Sequence, residues 1–303
     1  MGLRVALLGC GPLGAEYAEI AARTGSTVFV VHDENQGRAA VVAQQTGARI
    51  APSIHDAVTA VGVDAVVVCL RGAEAIEAIN AAAATRRPMF IALHPSADVV
   101  LALVAGEESG AFVGVDLRRR HDAGVRATVE AVHSGEIGDV CSCSIVDRDA
   151  TMAAGASMIH DLDLARHLVG SAIVTVAGIR GQDTTMLLLT HGNGVITSVE
   201  SSQHAPAGTE HRIELTGAKG TVSAASLPRA GVLVTTAEGE RRPRRTGGAV
   251  ARSLAAQWAA FAEAAGNGEL STDATDSALA HRASQAAQRA LAEGCTVGVA
   301  ELL

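Results

Sequence analysis

Gly9-Cys10-Gly11-Pro12-Leu13-Gly14 follows a continuous apolar run at residues 3–9 and opens a stretch with helical periodicity. Three glycines at this spacing have separate physical uses. Gly9 allows a tight turn, Gly11 lets a pyrophosphate approach the backbone, and Gly14 lets helix and strand pack closely. Pro12 and Leu13 complete the loop. The helix that follows offers free N–H groups and a partial positive charge to phosphates. Asp33 stands 19 residues beyond Gly14, at the end of the second apolar run. An acid there accepts hydrogen bonds from the adenosine ribose hydroxyls. It also repels a 2′-phosphate, so NAD is expected as cofactor, while Arg38 and His32 nearby keep NADP open.

A second constellation lies downstream. His160, Asp163 and His167 are spaced i, i+3, i+7 beside an apolar face of Ile159, Leu162, Ala165 and Leu168. Read from spacing alone, His160 is a capping or core-edge histidine or a group that moves protons near neutral pH. No fourth ligand motif accompanies these residues, so no metal is expected. Lys219 is the only lysine and falls in a hairpin, which leaves any lysine-dependent mechanism no other source. Five cysteines at irregular spacing argue against a disulfide scaffold and for a reducing cytoplasm.

The elements that must position these groups change character along the chain. Apolar runs at 3–9, 26–31, 63–70, 88–93 and 111–116 alternate with helical stretches, the pattern of a parallel, doubly wound sheet. After residue 117 a helix is expected at 122–135, an amphipathic strand at 139–149 and a helix at 157–169. Strands then dominate from 172 to 236, and helices at 250–265 and 274–292 follow. The expected fold is therefore α/β: a Rossmann domain at 1–117, then an α+β domain at 118–303 with a large open, mainly antiparallel sheet. The 303 residues carry a net charge of −8, 48% hydrophobic residues and six aromatics. That composition speaks against nucleic-acid binding. The apolar runs are of strand length, so no membrane association is expected. The N-terminal apolar run ends in the glycine loop, unlike a signal peptide.

At this level the chain resembles the glucose-fructose oxidoreductase/inositol dehydrogenase (Gfo/Idh/MocA) family. The resemblance rests on "RVALLGCGPLGAEYA", "VDAVVVCLRGAEAIEAINAAAA", "RRRHDAGVRATVEAVHSGEIGDV", "IHDLDLARHLVG", "HRIELTGAKGTV" and the closing helical segment from Trp258. It implies hydride transfer between a nicotinamide and a sugar, cyclitol or related polyol, in a homodimer or homotetramer formed through the open sheet. It places His160 at the substrate. Arg118, Arg119 and Arg120 sit at the domain junction, where at least one is expected to bridge the domains or meet cofactor or substrate, and Arg120 and Asp149 are the candidate further substrate contacts. Asp149 could equally be a turn acid. Leu70 and Arg71, where the family has Thr-Pro-Asn, are expected at the cofactor. Arg71 could face a phosphate or an acidic substrate, or be a plain surface arginine. The family's Glu-Lys-Pro is here Leu93-His94-Pro95, so His94 is the candidate for the lysine's acid–base role. The family's Asp four residues before the active-site His is Ala156. These departures open an alternative: a cofactor-binding sensor, a pseudoenzyme, or non-oxidative chemistry on retained NAD.

Overall fold

The computed structural model describes residues 2–92, 96–150, 158–206, 208–226, 231–241, 250–267 and 274–299. Leu93, His94, Pro95, Gly155 and Ala156 lie outside them. The chain forms two compact units, residues 1–117 with 254–278 and residues 118–253 with 279–303.

The first unit alternates β1 (Arg4–Leu8), α1 (Pro12–Arg23), β2 (Thr27–His32), α2 (Gln36–Thr46), β3 (Arg49–Ile50), α3 (Ile54–Thr59), β4 (Ala65–Val68), α4 (Gly72–Ala84), β5 (Met89–Ile91), α5 (Ala97–Glu108) and β6 (Val113–Val115). Its six strands are parallel in the order β3-β2-β1-β4-β5-β6. Every residue of β4 is buried, as a strand covered on both faces requires, and β4 accordingly reads as an unbroken valine-rich run. Leu8, Val68, Ile91 and Ile79 belong to the core on one face. Leu7, Tyr17, Ile20 and Phe90 belong to the other. Helix α2 ends at Gly47, whose φ of 74° closes it with a left-handed residue.

The second unit begins with a 3₁₀ turn, Arg118–His121. It continues through α6 (Ala123–His133), β7 (Val140–Arg148), α7 (Met158–Val169), β8 (Ile173–Arg180), β9 (Thr184–His191), β10 (Ile196–Ser202), β11 (Glu210–Gly217), β12 (Gly220–Ser226), β13 (Gly231–Thr236) and β14 (Gly239–Arg241). Helices α8 (Val250–Asn267) and α9 (Ala274–Glu293) and strand β15 (Val297–Gly298) follow. The nine strands run β14-β13-β12-β11-β7-β10-β9-β8-β15, and only the β10–β7 pairing is parallel. Alternation along β9 sends Leu187 and Leu189 into the core and leaves Met186 and Leu188 exposed, with Ile179 and Ile196 on neighbouring strands also exposed.

Helix α8 returns to the first unit. Leu254, Trp258 and Phe261 join the core of Tyr17 and Phe90. Phe90 and Phe261 have ring centroids 5.2 Å apart, and Phe90 and Trp258 6.0 Å, edge-on contacts worth ~1 kcal/mol each beyond area burial. Gln257 Nε2 donates to the Val115 carbonyl at 2.8 Å and ties the helix to the end of β6.

Candidate active site

The dinucleotide loop takes its shape from three glycines under different constraints. Gly9 has φ +91°, and a Cβ there would lie 2.8 Å from the Cys69 carbonyl oxygen. A Cβ on Gly14 would lie 2.0 Å from the Gly9 carbonyl oxygen, so α1 rests directly on the loop. A Cβ on Gly11 would meet nothing within 4 Å. Gly11 is the N-cap of α1 with no side-chain cap, and Pro12 occupies the first turn. The amides of that turn therefore have no side chain competing for them, and a helix end in that condition receives anions. This open space above Gly11 fits a pyrophosphate.

Asp33 is 7% exposed. Its Oδ2 accepts from Cys10 N at 2.7 Å and its Oδ1 from Asn35 N at 2.8 Å. The two amides fix the carboxylate at the end of β2 beside the loop, and each oxygen keeps a further lone pair for a ribose hydroxyl. Asn35 caps α2, accepting from Gly37 N and Arg38 N. Arg38 is exposed in the first turn of α2. Leu70 and Arg71 follow β4. Leu70 packs beside Gly9, and Arg71 is the exposed N-cap of α4 without a side-chain capping bond. Burial, then the Asp33 charge, pushes the Cys10 thiol up to about 12, so it is no nucleophile at neutral pH.

In the second unit, α7 carries His160 and two buried acids, Asp161 and Asp163. His160 is partly buried. Arg120 is buried and clasps Asp163 through Nε, at 2.7 Å to Oδ2, and through Nη2 to Oδ1. Arg119 donates from Nη2 to Asp147 Oδ2 at 2.8 Å and from Nη1 to Asp161. Burial alone would lower the Arg119 pKa; Asp161 and Asp147 outweigh it and hold the guanidinium above its usual range. His211 Nε2 lies 3.5 Å from Asp161 Oδ1. The β11–β7 register sets His211 directly opposite Asp147. Asp149 follows β7, tied by its N–H to the Ser202 carbonyl at 2.9 Å.

The structure thus brings Gly9, Gly11, Pro12, Leu13, Gly14 and Asp33 into one cradle, with Leu70 beside it. Arg120 shares α7's acids with Arg119. His94 lies outside the described residues. Asp147, Asp161 and His211 escape sequence reasoning because only strand register and the turn of α7 bring them together. Lys219 is exposed in the β11–β12 turn. Among the described residues no cluster of His, Cys, Asp and Glu could hold a metal, and no helix is long and apolar enough to cross a membrane.

A glycine loop and a tethered acid on a doubly wound sheet define a dinucleotide-binding protein. Comparison with known proteins agrees. Residues 125–223 match the GFO/IDH/MocA C-terminal domain, and residues 4–93 match the family described as NADP oxidoreductase coenzyme F420-dependent. Inositol 2-dehydrogenase 3 of Saccharopolyspora erythraea is 30% identical over 256 residues, covering 77% of this chain and 76% of that protein. An oxidoreductase from Agrobacterium radiobacter, solved with NAD+, L-tartaric acid and magnesium, superposes with a TM-score of 0.89 at 21% identity, over the whole of both chains. Scyllo-inositol dehydrogenase from Lactobacillus casei, solved with NAD(H) and scyllo-inositol, gives 0.81 at 20% identity, over 99% of this chain and 100% of that one. The chain belongs to the Gfo/Idh/MocA family.

Proposed function

We propose that the protein is an NAD-dependent dehydrogenase that oxidises a secondary hydroxyl of a sugar, a cyclitol or a related polyol. The observation that carries this reading is the cradle of Gly11 and Asp33, open where a pyrophosphate needs space and acidic where a ribose needs an acceptor. Residues 1–117 serve the cofactor in this reading, and residues 118–303 serve the substrate and self-association. The bound dinucleotide supplies the acceptor for the hydride leaving the carbinol carbon. The chain must then take the hydroxyl proton. His160 is the candidate among the described residues and His94 the candidate outside them, since imidazole exchanges protons near neutral pH. Arg120 and Asp149 are the further substrate contacts of this assignment. Inositol 2-dehydrogenase relatives support a cyclitol-like substrate over a sensor without turnover.

The exposed Ile179, Met186, Leu188 and Ile196 form an apolar sheet face, which supports a homodimer or homotetramer. Cysteines 10, 69, 141, 143 and 295 are all free, which supports a reducing, cytoplasmic setting. The test is an equilibrium titration with NADH, then a panel of cyclitols and sugars with NAD+, followed at the reduced-nicotinamide absorbance band. NADH binding with substrate-dependent reduction is the expected result. Folded protein that binds NADH and reduces nothing across the panel overturns the dehydrogenase reading.

A further inference from the structure

Arg119 and Arg120 are consecutive in the 3₁₀ turn that opens the second unit, and each reaches a different acid of α7. Helical geometry sets Asp161 about 100° to one side of His160 and Asp163 about 60° to the other. The two guanidiniums therefore grip α7 on either side of His160. Both acids are buried, Asp161 fully and Asp163 to 2% exposure. Leu162, Ala165 and Leu168 press the same helix into the apolar core, but apolar contact is non-directional and tolerates small slides and rolls. A charge-assisted hydrogen bond fixes a length and an angle. Arg119 adds a tie that Arg120 does not show. Its Nη2 donates to Asp147 on β7 at 2.8 Å while Nη1 holds Asp161, so one planar fork joins helix to sheet. Strand β11 brings His211 Nε2 to 3.5 Å from the same Asp161 carboxylate. Asp161 directly follows His160, so the tie is made in the first turn of α7, where the imidazole is carried.

We propose that Arg119 is a positioning residue: the fork shared by Asp147 and Asp161 sets the first turn of α7, and through it the His160 imidazole, against the sheet. The inference rests on the dehydrogenase reading above, in which His160 takes the hydroxyl proton. That transfer tolerates little displacement, since a shift of about 1 Å costs on the order of 100-fold in rate. Stability is the lesser return, because a buried ion pair is often no better than apolar packing of the same volume. Lysine at position 119 would keep the charge, but a single ammonium does not reproduce a planar fork held between two carboxylates. A matched arginine stands one residue beyond Asp147. Arg148 shares its guanidinium between Glu200 and Glu210, at 2.8 and 2.9 Å. Successive strand residues point to opposite faces, so Arg148 makes the same kind of bridge on the side of β7 away from α7.

The experiment compares the full-length wild type with Arg119→Lys, the milder Asp147→Asn and the control Arg148→Lys. Two readouts are taken: the histidine ring signals in ¹H–¹⁵N NMR, with His160 assigned by its loss in His160→Gln, and kcat and KM for NAD+ with the most active polyol of the panel. Arg119→Lys should move the His160 ring signals and lower kcat about 10- to 100-fold, with the polyol KM within about 3-fold and NADH affinity unchanged. Asp147→Asn keeps an oxygen acceptor for Nη2 and should lower kcat about 3- to 10-fold, which also reads the tie if the lysine variant does not fold. Arg148→Lys should leave both readouts as in wild type. A purely structural Arg119 would shift the urea midpoint while leaving kcat and the His160 signals of the folded variants alone, and that result overturns the proposal. An equal loss of kcat in Arg148→Lys overturns it too. A wild type that binds NADH but reduces nothing across the panel refutes the dehydrogenase reading instead, and the ring signals then still decide whether Arg119 places His160.

Discussion

Gly11 and Gly14 stand three residues apart in one loop, and the structure assigns them opposite vulnerabilities. An added methyl at Gly14 would sit 2.0 Å from the Gly9 carbonyl oxygen. Contact with backbone cannot be relieved by a rotamer change, so α1 must move away from the loop by about 1 Å. Overpacking of this kind costs about 1–3 kcal/mol. At Gly11 the methyl enters open space, and φ −69° with ψ −172° suits any residue. Gly11→Ala should therefore leave stability within about 1 kcal/mol, or raise it slightly by restricting the unfolded chain. Its effect falls on binding. A methyl where a phosphate must reach the amides weakens charge-assisted hydrogen bonds worth about 1.5–3 kcal/mol each, which is roughly 10- to 100-fold in Kd. Urea denaturation read by circular dichroism and NADH titration separate the two quantities. Gly14→Ala should shift the urea midpoint down, and Gly11→Ala should lose NADH affinity at an unshifted midpoint. Wild-type NADH affinity in Gly11→Ala, or a midpoint loss equal to that of Gly14→Ala, would refute the assignment of the space above Gly11 to pyrophosphate.

Burial, with Arg126 and Arg120 adding to it, lowers the His121 pKa from 6.5 to about 4. The unfolded chain takes up this proton at higher pH than the folded one, so stability should fall as pH drops from about 6.5 towards 4, by about 2 kcal/mol at pH 5. His121→Phe should remove that part of the slope in urea midpoints measured at pH 7 and pH 5; an unaltered slope argues against a neutral buried His121. Asp161 is fully buried and accepts from Arg119, so Asp161→Ala should cost about 3–5 kcal/mol by leaving the guanidinium with Asp147 alone, a loss that thermal or urea unfolding would register. Cys141 and Cys295 are exposed while Cys10 and Cys143 are buried with thiols pushed up to about 12; a thiol reagent at neutral pH should modify the first two rapidly and the buried pair only on unfolding, and fast modification of Cys10 by mass spectrometry contradicts the loop described here.

The cofactor half of the site was legible because its determinants are local. Three glycines, a strand before them and an acid at the next strand end all lie within residues 4–33, and the backbone follows those residue types directly. Long elements such as α7 and β11 were equally readable, since periodicity accumulates over two or more turns or several alternations. Strands β3 and β15 have two residues each and β14 three, too few to show any period, and no signal marked α3. The polar cluster of the second unit was hidden for a different reason. Arg119, Asp147, Asp161 and His211 come from four separate elements, and a one-residue slip of β11 on β7 would send His211 to the other face. Trp258 and Phe261 are spaced i, i+3 on a helix, which marks a buried face, but that spacing does not say which core they complete.

That last point bears on how the protein is made. Leu254, Trp258 and Phe261 cap the same sheet face as Tyr17 and Phe90, yet more than a hundred residues of the second unit are synthesised in between. At about 5–20 residues per second, the ribosome leaves the Phe90 side of the nascent sheet without its aromatic lid for roughly ten seconds or longer. During that interval the first unit resembles a protein truncated after residue 117, with a greasy surface offered to chaperones or to neighbouring nascent chains. Expressing residues 1–117 as an isolated nucleotide-binding module would make that transient exposure permanent.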